Sequence, residues 1–274
     1  MNWLQSILYG LLAGATEVLP VSSEAHRDLL ARMYGVQVNP LMDLLVHVGI
    51  LAALILSCIP QLTKMRRERA LLAMSPKKRK RQPDILTLSN MRILRAALIP
   101  VLVGFIAWPF THDWSHSMWL SALMLALNGI VLYIAPYVPQ GNKDAAGTSG
   151  LDGLLMGFGA VLSMIPGISR IAGFTTVGIL RGCQRSYVLD LALVLCIPAL
   201  IVLTLFDVYF LIVAGAAITA AWVISAVIAM AVAIPTAYLC IIFLRFLSVK
   251  VGFSGFAYYS WGAAMFTLIL YLMI

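Results

Sequence analysis

The sequence predicts an all-α polytopic membrane protein built as an inverted-topology repeat, each half one re-entrant helical hairpin plus three transmembrane helices. Hydrophobic residues make up 62% of the 274 and charged residues only 11%, against roughly a quarter charged in soluble domains. Mean hydropathy is +0.96. The apolar runs are long and hold glycine and other small residues, without the short alternating segments of a transmembrane barrel. Two of the runs are interrupted by proline, hydroxyl and ionisable groups: Glu17-Val18-Leu19-Pro20-Val21-Ser22-Ser23-Glu24-Ala25-His26 and Ile165-Pro166-Gly167-Ile168-Ser169-Arg170. In a bilayer a broken helix survives only where protein or a polar cavity satisfies the freed backbone. Ionisable groups at such depth mark functional sites.

In chain order, residues 2–34 are broken at Pro20 and read as a re-entrant hairpin, with the second limb starting near Ser23. Spans follow near 41–59, 93–110 and 118–137, the first two separated by a basic loop, 61–92. Residues 139–150 form a polar linker at the midpoint. A second hairpin, 151–180, breaks at Pro166-Gly167, and spans near 186–205, 212–245 and 256–274 complete the chain. Met1–Tyr9 has no basic n-region, so no cleavable signal is expected.

The halves resemble each other. Gly10-Leu11-Leu12-x-Gly14 recurs as Gly153-Leu154-Leu155-x-Gly157, Leu19-Pro20-Val21-Ser22-Ser23 aligns with Ile165-Pro166-Gly167-Ile168-Ser169, and Asp43-Leu44 with Asp190-Leu191, at offsets of 143, 146 and 147. Three spans per half is an odd number, so the second half is inverted and the two hairpin tips meet at mid-membrane, the architecture of many transporters.

Charge orients the chain. Ten of the nineteen Lys and Arg lie between Lys64 and Arg92. Between two spans such a run is a cytoplasmic loop near anionic lipid, not a nucleic-acid site. Arg27 and Arg32 then fall outside, against the charge rule. The four cysteines, Cys58, Cys183, Cys196 and Cys240, form no CxxC pair and read as free buried thiols.

The chemistry concentrates at the breaks. A helix starting after a break aims N–H groups and its positive dipole end at it. Ser23 and Ser169 sit at N-cap-like positions. Arg170 at mid-membrane needs a carboxylate or phosphate for its fork; an ion pair with Glu17 is the bland outcome. Glu17 suits a base or a metal anchor. His26 lies one turn after Ser23, a spacing that suits a nucleophile and base in either assignment. Asp43, His47 and Asp190 read as packing or supporting residues. The Gly10-xxx-Gly14 and Gly153-xxx-Gly157 pairs read as helix-packing faces, Trp108, Trp119 and Tyr258 as interfacial anchors, and His112 and His116 as a loop pair without metal.

These residues resemble the bacterial undecaprenyl-pyrophosphate phosphatase family, of the bacitracin-resistance type. Gly14-x-Thr16-Glu17-Val18-Leu19-Pro20-Val21-Ser22-Ser23-x-x-His26 is similar to its first signature and Pro166-Gly167-Ile168-Ser169-Arg170 to the core of its second. Asp43-x-x-x-His47-x-Gly49 and the stretch around Asp190 fit as well, so the resemblance spans the chain. It implies removal of the terminal phosphate of a C55 lipid pyrophosphate in the bacterial plasma membrane, with Mg²⁺ or Ca²⁺. Glu17, Ser23, His26 and Arg170 map onto catalytic positions, with Ser23 or His26 as nucleophile and Glu17 as a metal contact. Ser22, Ser23, Gly167, Ser169, Arg170 and Thr175 map onto phosphate-binding positions. The partners implied are the polyprenyl pyrophosphate, the bilayer and a second copy of the chain in a homodimer.

Four positions depart from the family pattern. Ala13 stands where a second acidic or amide residue is usual, and Ala160 where a glutamine is. Ser260 replaces an arginine, and Thr175 falls one place late after Arg170. A non-hydrolytic polyprenyl-phosphate carrier or flippase is the alternative that an inverted repeat with a thinned site also suits.

Overall fold

The computed structural model describes residues 1–36, 38–111, 117–139, 141–213, 215, 218–250 and 253–273, with the side chains of 107–111 and 250 outside that description. The expectations for His112, His116 and Trp108 lie outside the described residues. Among the described residues ten α-helices carry the fold: α1 Trp3–Val18, α2 Ser23–Met33, α3 Pro40–Ala73, α4 Ile85–Thr111, α5 Met118–Ile134, α6 Gly150–Val161, α7 Arg170–Leu180, α8 Arg185–Val213, α9 Ala220–Lys250 and α10 Gly255–Met273. Among the described residues six helices, α3, α4, α5, α8, α9 and α10, are long and apolar enough to cross a membrane. The chain is an all-helical, multi-pass membrane protein.

Two boundaries differ from the sequence expectation. The helix of the first span continues beyond residue 59: α3 runs on to Ala73, through Pro60. At 1.5 Å per residue its 34 residues reach about 50 Å, well past the roughly 30 Å hydrocarbon core. Gln61–Ala73 is rich in Arg, Leu, Met and Glu, all good helix formers. Buried Glu68 ties this extension to the returning chain by taking the Arg81 guanidinium and the Asp84 N–H, the latter at 2.9 Å. In the second half α8 continues to Val213 and α9 begins at Ala220, because Gly215 turns the chain with φ +56.

Contacts fix the direction of each helix. His47, early in α3, bonds Asp207, late in α8, while Ser57, later in α3, meets Arg245 of α9, which itself pairs with Asp190, early in α8. So α3 and α8 are antiparallel, and α9 runs parallel to α3. Hairpin limb α1 lies along α9: Met1 accepts from Ser225, and Cβ atoms at Gly10 and Gly14 would stand 2.3 and 2.8 Å from the carbonyls of Ala229 and Ala233. Limb α6 lies likewise along α4, where Cβ atoms at Gly153 and Gly157 would meet the carbonyls of Ile93 and Ala97 at 2.5 and 2.2 Å. Lipid tails are as apolar as leucine, so such backbone-to-backbone approach, not burial from water, holds membrane helices together. Phe105, late in α4, packs on Phe206, late in α8, and the Tyr187 hydroxyl, early in α8, donates to Asn90, early in α4. So α4 runs with α8 and against α9, and α1 and α6 enter from opposite ends.

The most buried span is α8, whose Val188–Leu200 stretch fills the core, and α10 is the least buried. Exposed Ile99, Ile106, Leu205, Ile212, Phe246 and Leu272 form the apolar exterior. The linker is pinned: Lys143 N–H donates to the Gly182 carbonyl and Gln184 N–H to the Lys143 carbonyl, both at 3.0 Å. All four cysteines are free thiols, and three are buried.

Candidate functional site

The two breaks touch. After α1 ends at Val18, Leu19–Val21 turn the chain, and Ser22 takes φ +67, the one non-glycine residue with positive φ among the described residues. Holding an L-residue there costs about 1–3 kcal/mol and persists only where neighbours over-determine it. The neighbour is the second break: Gly167 N–H donates to Ser22 Oγ at 3.1 Å. Gly167 itself needs to be glycine, having φ +104 and no room for a Cβ beside Ser121 O at 2.7 Å. Asn128 of α5 bridges both turns. Its Nδ2 donates to the Pro20 carbonyl at 2.9 Å and to Ser260 Oγ at 3.2 Å, and its Oδ1 accepts from Ser169 N–H at 3.0 Å. Arg170 Nη1 lies 3.2 Å from Glu17 Oε1.

Beside this junction is a cavity of about 720 Å³, lined from both hairpins and from α3, α4 and α8. Its ionisable walls are Glu17, Glu24, Asp28, Asp43 and Asp207 against Arg27, Arg32 and Arg170, with His47 and Tyr9. The lining residues of α3 are near its start and those of α4 and α8 near their ends, so the cavity lies toward the end of the molecule away from the basic loop. Asp43 accepts from the Tyr9 hydroxyl at 2.5 Å and pairs with Arg27. His47 Nδ1 lies 2.6 Å from Asp207 Oδ2.

Of the residues singled out in the sequence, Glu17, Ser22, Ser23, Ser169, Arg170, Asp43 and His47 line this cavity. Ser22, not Ser23, is the α2 N-cap residue, because its left-handed backbone is what leaves the helix; its side chain bonds Gly167 and caps nothing. The first N–H groups of α2 therefore have no capping side chain. Ser23 Oγ is buried beside the Glu17 carboxylate, close enough to interact yet short of hydrogen-bond geometry. Ser169 is a true N-cap, accepting from Ala172 N–H at 3.4 Å.

His26, Gly167, Thr175 and Asp190 do not line it. His26 Nδ1 donates to the Ser22 carbonyl at 2.7 Å, which fixes the neutral tautomer, so Nε2 accepts from the Tyr259 hydroxyl at 3.0 Å. Thr175 Oγ1 donates to the Ile171 carbonyl one turn back at 2.6 Å and is fully buried. The Gly167 N–H is already taken by Ser22. Asp190 pairs with Arg245 at 3.0 Å, away from the breaks.

Among the described residues no three His, Cys, Asp or Glu side chains group as a metal cage. The donor set nonetheless suits Mg²⁺, which binds through one or two carboxylates plus substrate phosphate oxygens. Five acids against three arginines also leave the cavity an acid excess that a cation would offset.

A helical cavity with a carboxylate, a serine and an arginine at two joined breaks is what the resemblance requires, and the whole-chain comparison decides the family. The model for bacitracin resistance protein BacA matches residues 6–266. The chain belongs to the BacA family. Among its relatives is an undecaprenyl-diphosphatase of Carboxydothermus hydrogenoformans, 28% identical over 263 residues, 95% of this chain and 94% of that protein. The undecaprenyl-diphosphatase of Paenarthrobacter aurescens is 27% identical over 211 residues, 76% of this chain and 75% of the relative. That of Methanobrevibacter smithii is 24% identical over 269 residues, 95% of each chain.

Within this BacA-family fold, Arg27, Asp207, Tyr9 and Asn128 are site residues that sequence reasoning missed. Arg27 was legible as a charge misplaced on the outer side, and Asp207 as an acid inside a long apolar run. Tyr9 and Asn128 carry no local signal. Ala13 is fully buried, Ala160 lines the cavity wall, and Ser260 holds Asn128 in place of a longer side chain.

Proposed function

We propose that this chain hydrolyses undecaprenyl pyrophosphate to the monophosphate, recycling the carrier lipid of the cell envelope. The observation that carries this reading is the meeting of Arg170, Glu17 and the unbonded Ser23 hydroxyl in one cavity between two broken helices. Arg170 exchanges or shares Glu17 for the pyrophosphate, whose oxygens its planar fork matches. The uncapped N–H groups at the start of α2 and its dipole add donors for the same oxygens. Ser23 is the nucleophile, since His26 has both ring nitrogens engaged and lies outside the cavity. Mg²⁺ or Ca²⁺, held by Glu17 together with the phosphates, would neutralise charge there. The isoprenoid tail leaves between apolar spans.

The opposite entry of α1 and α6, and their matching packing on α9 and α4, support an inverted repeat. With the basic loop cytoplasmic, the cavity faces the outer side of the bacterial plasma membrane. A homodimer would use α10, the least buried span, where a Cβ on Gly262 meets nothing within 4 Å. A carrier would need anion binding alone and gives an unbonded serine no role.

The test is phosphate release from C55 pyrophosphate by detergent-purified protein, with and without Mg²⁺ or Ca²⁺. Metal-dependent release is expected. Folded protein that binds the lipid phosphate and releases nothing would leave the carrier.

A further inference from the structure

Six buried side-chain polar atoms among the described residues have no hydrogen-bond partner, and three of them, Ser23 Oγ, Arg27 Nε and His47 Nε2, belong to residues that line the one cavity. Buried polar atoms are ordinarily bonded, so a native exception calls for a role. His47 is only 3% exposed, and its other nitrogen is fixed: Nδ1 lies 2.6 Å from Asp207 Oδ2. A carboxylate can only accept, so Nδ1 carries the proton and Nε2 presents its lone pair. An imidazole set in one tautomer by an aspartate, with the other nitrogen free, is the arrangement of a general base with its orienting group.

The surroundings agree. His47 lines the cavity together with Glu17 and with Asp43, which lies one turn back on its own helix. The other ionisable groups of the cavity wall come from α1, from α2 (Glu24, Arg27, Asp28 and Arg32), from the helix of His47 itself, from α7 and from α8; α4 and α9 bring none to the lining. The histidine that the motif itself offers, His26, is excluded by its two hydrogen bonds.

We propose that His47, oriented by Asp207, is the proton-transfer group of this site. The proposal rests on the phosphatase reading above. As Ser23 Oγ bonds to the terminal phosphorus, its proton passes to His47 Nε2. The bond from that phosphorus to the bridging oxygen breaks, and the lipid monophosphate leaves with the electron pair and receives the proton. Water then attacks the phosphoserine, giving its proton to Nε2, and Ser23 leaves with that proton as inorganic phosphate forms. Asp207 does not touch the reacting atoms; it is a positioning residue.

The experiment is steady-state phosphate release from C55 pyrophosphate by wild type, His47→Gln, His47→Ala and Asp207→Asn. General acid–base groups contribute about 10²–10⁴-fold, so both His47 variants should lose at least about 100-fold in kcat with KM little changed. Added imidazole should restore turnover in His47→Ala, whose void admits it, and not in His47→Gln. Asp207→Asn should lower kcat and keep KM. His47→Gln with wild-type kcat, or a loss in His47→Ala that imidazole leaves untouched, would overturn the proposal while the phosphatase reading stands. Wild-type protein that releases no phosphate would remove the reaction and this role together.

Discussion

Arg170 lies 3.2 Å from Glu17 across 153 positions of sequence, one residue from each broken helix. The pair joins the two stretches where proline, serine and charge break the hairpins. In low dielectric a lone guanidinium or carboxylate would be costly, and each here offsets the other. A phosphate entering the cavity can replace the carboxylate at the fork without leaving a buried charge unpaired, particularly if a divalent cation takes up Glu17.

Glu17→Gln follows from that exchange. It removes the one acid at the junction of the breaks and keeps its shape. The Mg²⁺ concentration for half-maximal phosphate release should rise by at least about tenfold, the loss seen even when only a supporting ligand partner is removed. A Mg²⁺ titration of wild type and variant measures it.

Asn128→Leu should loosen the junction itself. It strands the Ser169 N–H and the Pro20 carbonyl, buried groups that Asn128 alone links. Each stranded group costs about 1–3 kcal/mol. Thermal unfolding in detergent should show a clear fall in Tm, whereas Asn128→Asp, which keeps the acceptor for Ser169, should fall less.

Glycine at the helix crossings is a requirement of distance. Gly157→Leu would push a Cβ to 2.2 Å from the Ala97 carbonyl, and Gly10→Val to 2.3 Å from that of Ala229. Overpacking of this kind costs about 1–3 kcal/mol or more. Gly150→Ala, where a Cβ meets nothing within 4 Å, should be neutral; comparing melting temperatures of the three separates packing from helix propensity.

The basic end of α3 has its own pH dependence. The Lys64 ammonium at 2.7 Å, with the Thr87 hydroxyl, holds the Asp84 carboxyl down at about 2. A depressed carboxyl stabilises the fold fully above its unfolded value of about 3.9. That contribution is lost as pH falls from there through about 2. Lys64→Met should flatten the stability curve over that window, lowering stability near neutral pH and leaving pH 2 little changed, read by thermal unfolding between pH 2 and 7.

What was legible in the sequence was what membrane physics makes expensive. Pro20, Ser22, Glu17 and Arg170 stand out because polar and helix-breaking groups have no cheap place in lipid. The Gly-xxx-Gly faces were readable for the same reason, since only small residues let backbones meet. Contacts between distant helices were not. Nothing local tells that Arg27 finds Asp43, that His47 finds Asp207 in the other half, or that His26 turns to Tyr259. Nor does the sequence alone show that Thr175 spends its hydroxyl on its own helix. That α3 continues as helix past its apolar part was not legible, because a basic stretch reads as loop even when its residues are also good helix formers.

The central claim is that the two breaks form one phosphatase site, and phosphate release by wild type beside Arg170→Ala tests it most directly. Removing one preorganised donor to developing charge costs about 10²–10³-fold. Release by the wild type and a fall of at least that size in the variant, with the protein still folded, is the expected result. Arg170→Ala turning over at the wild-type rate would contradict it.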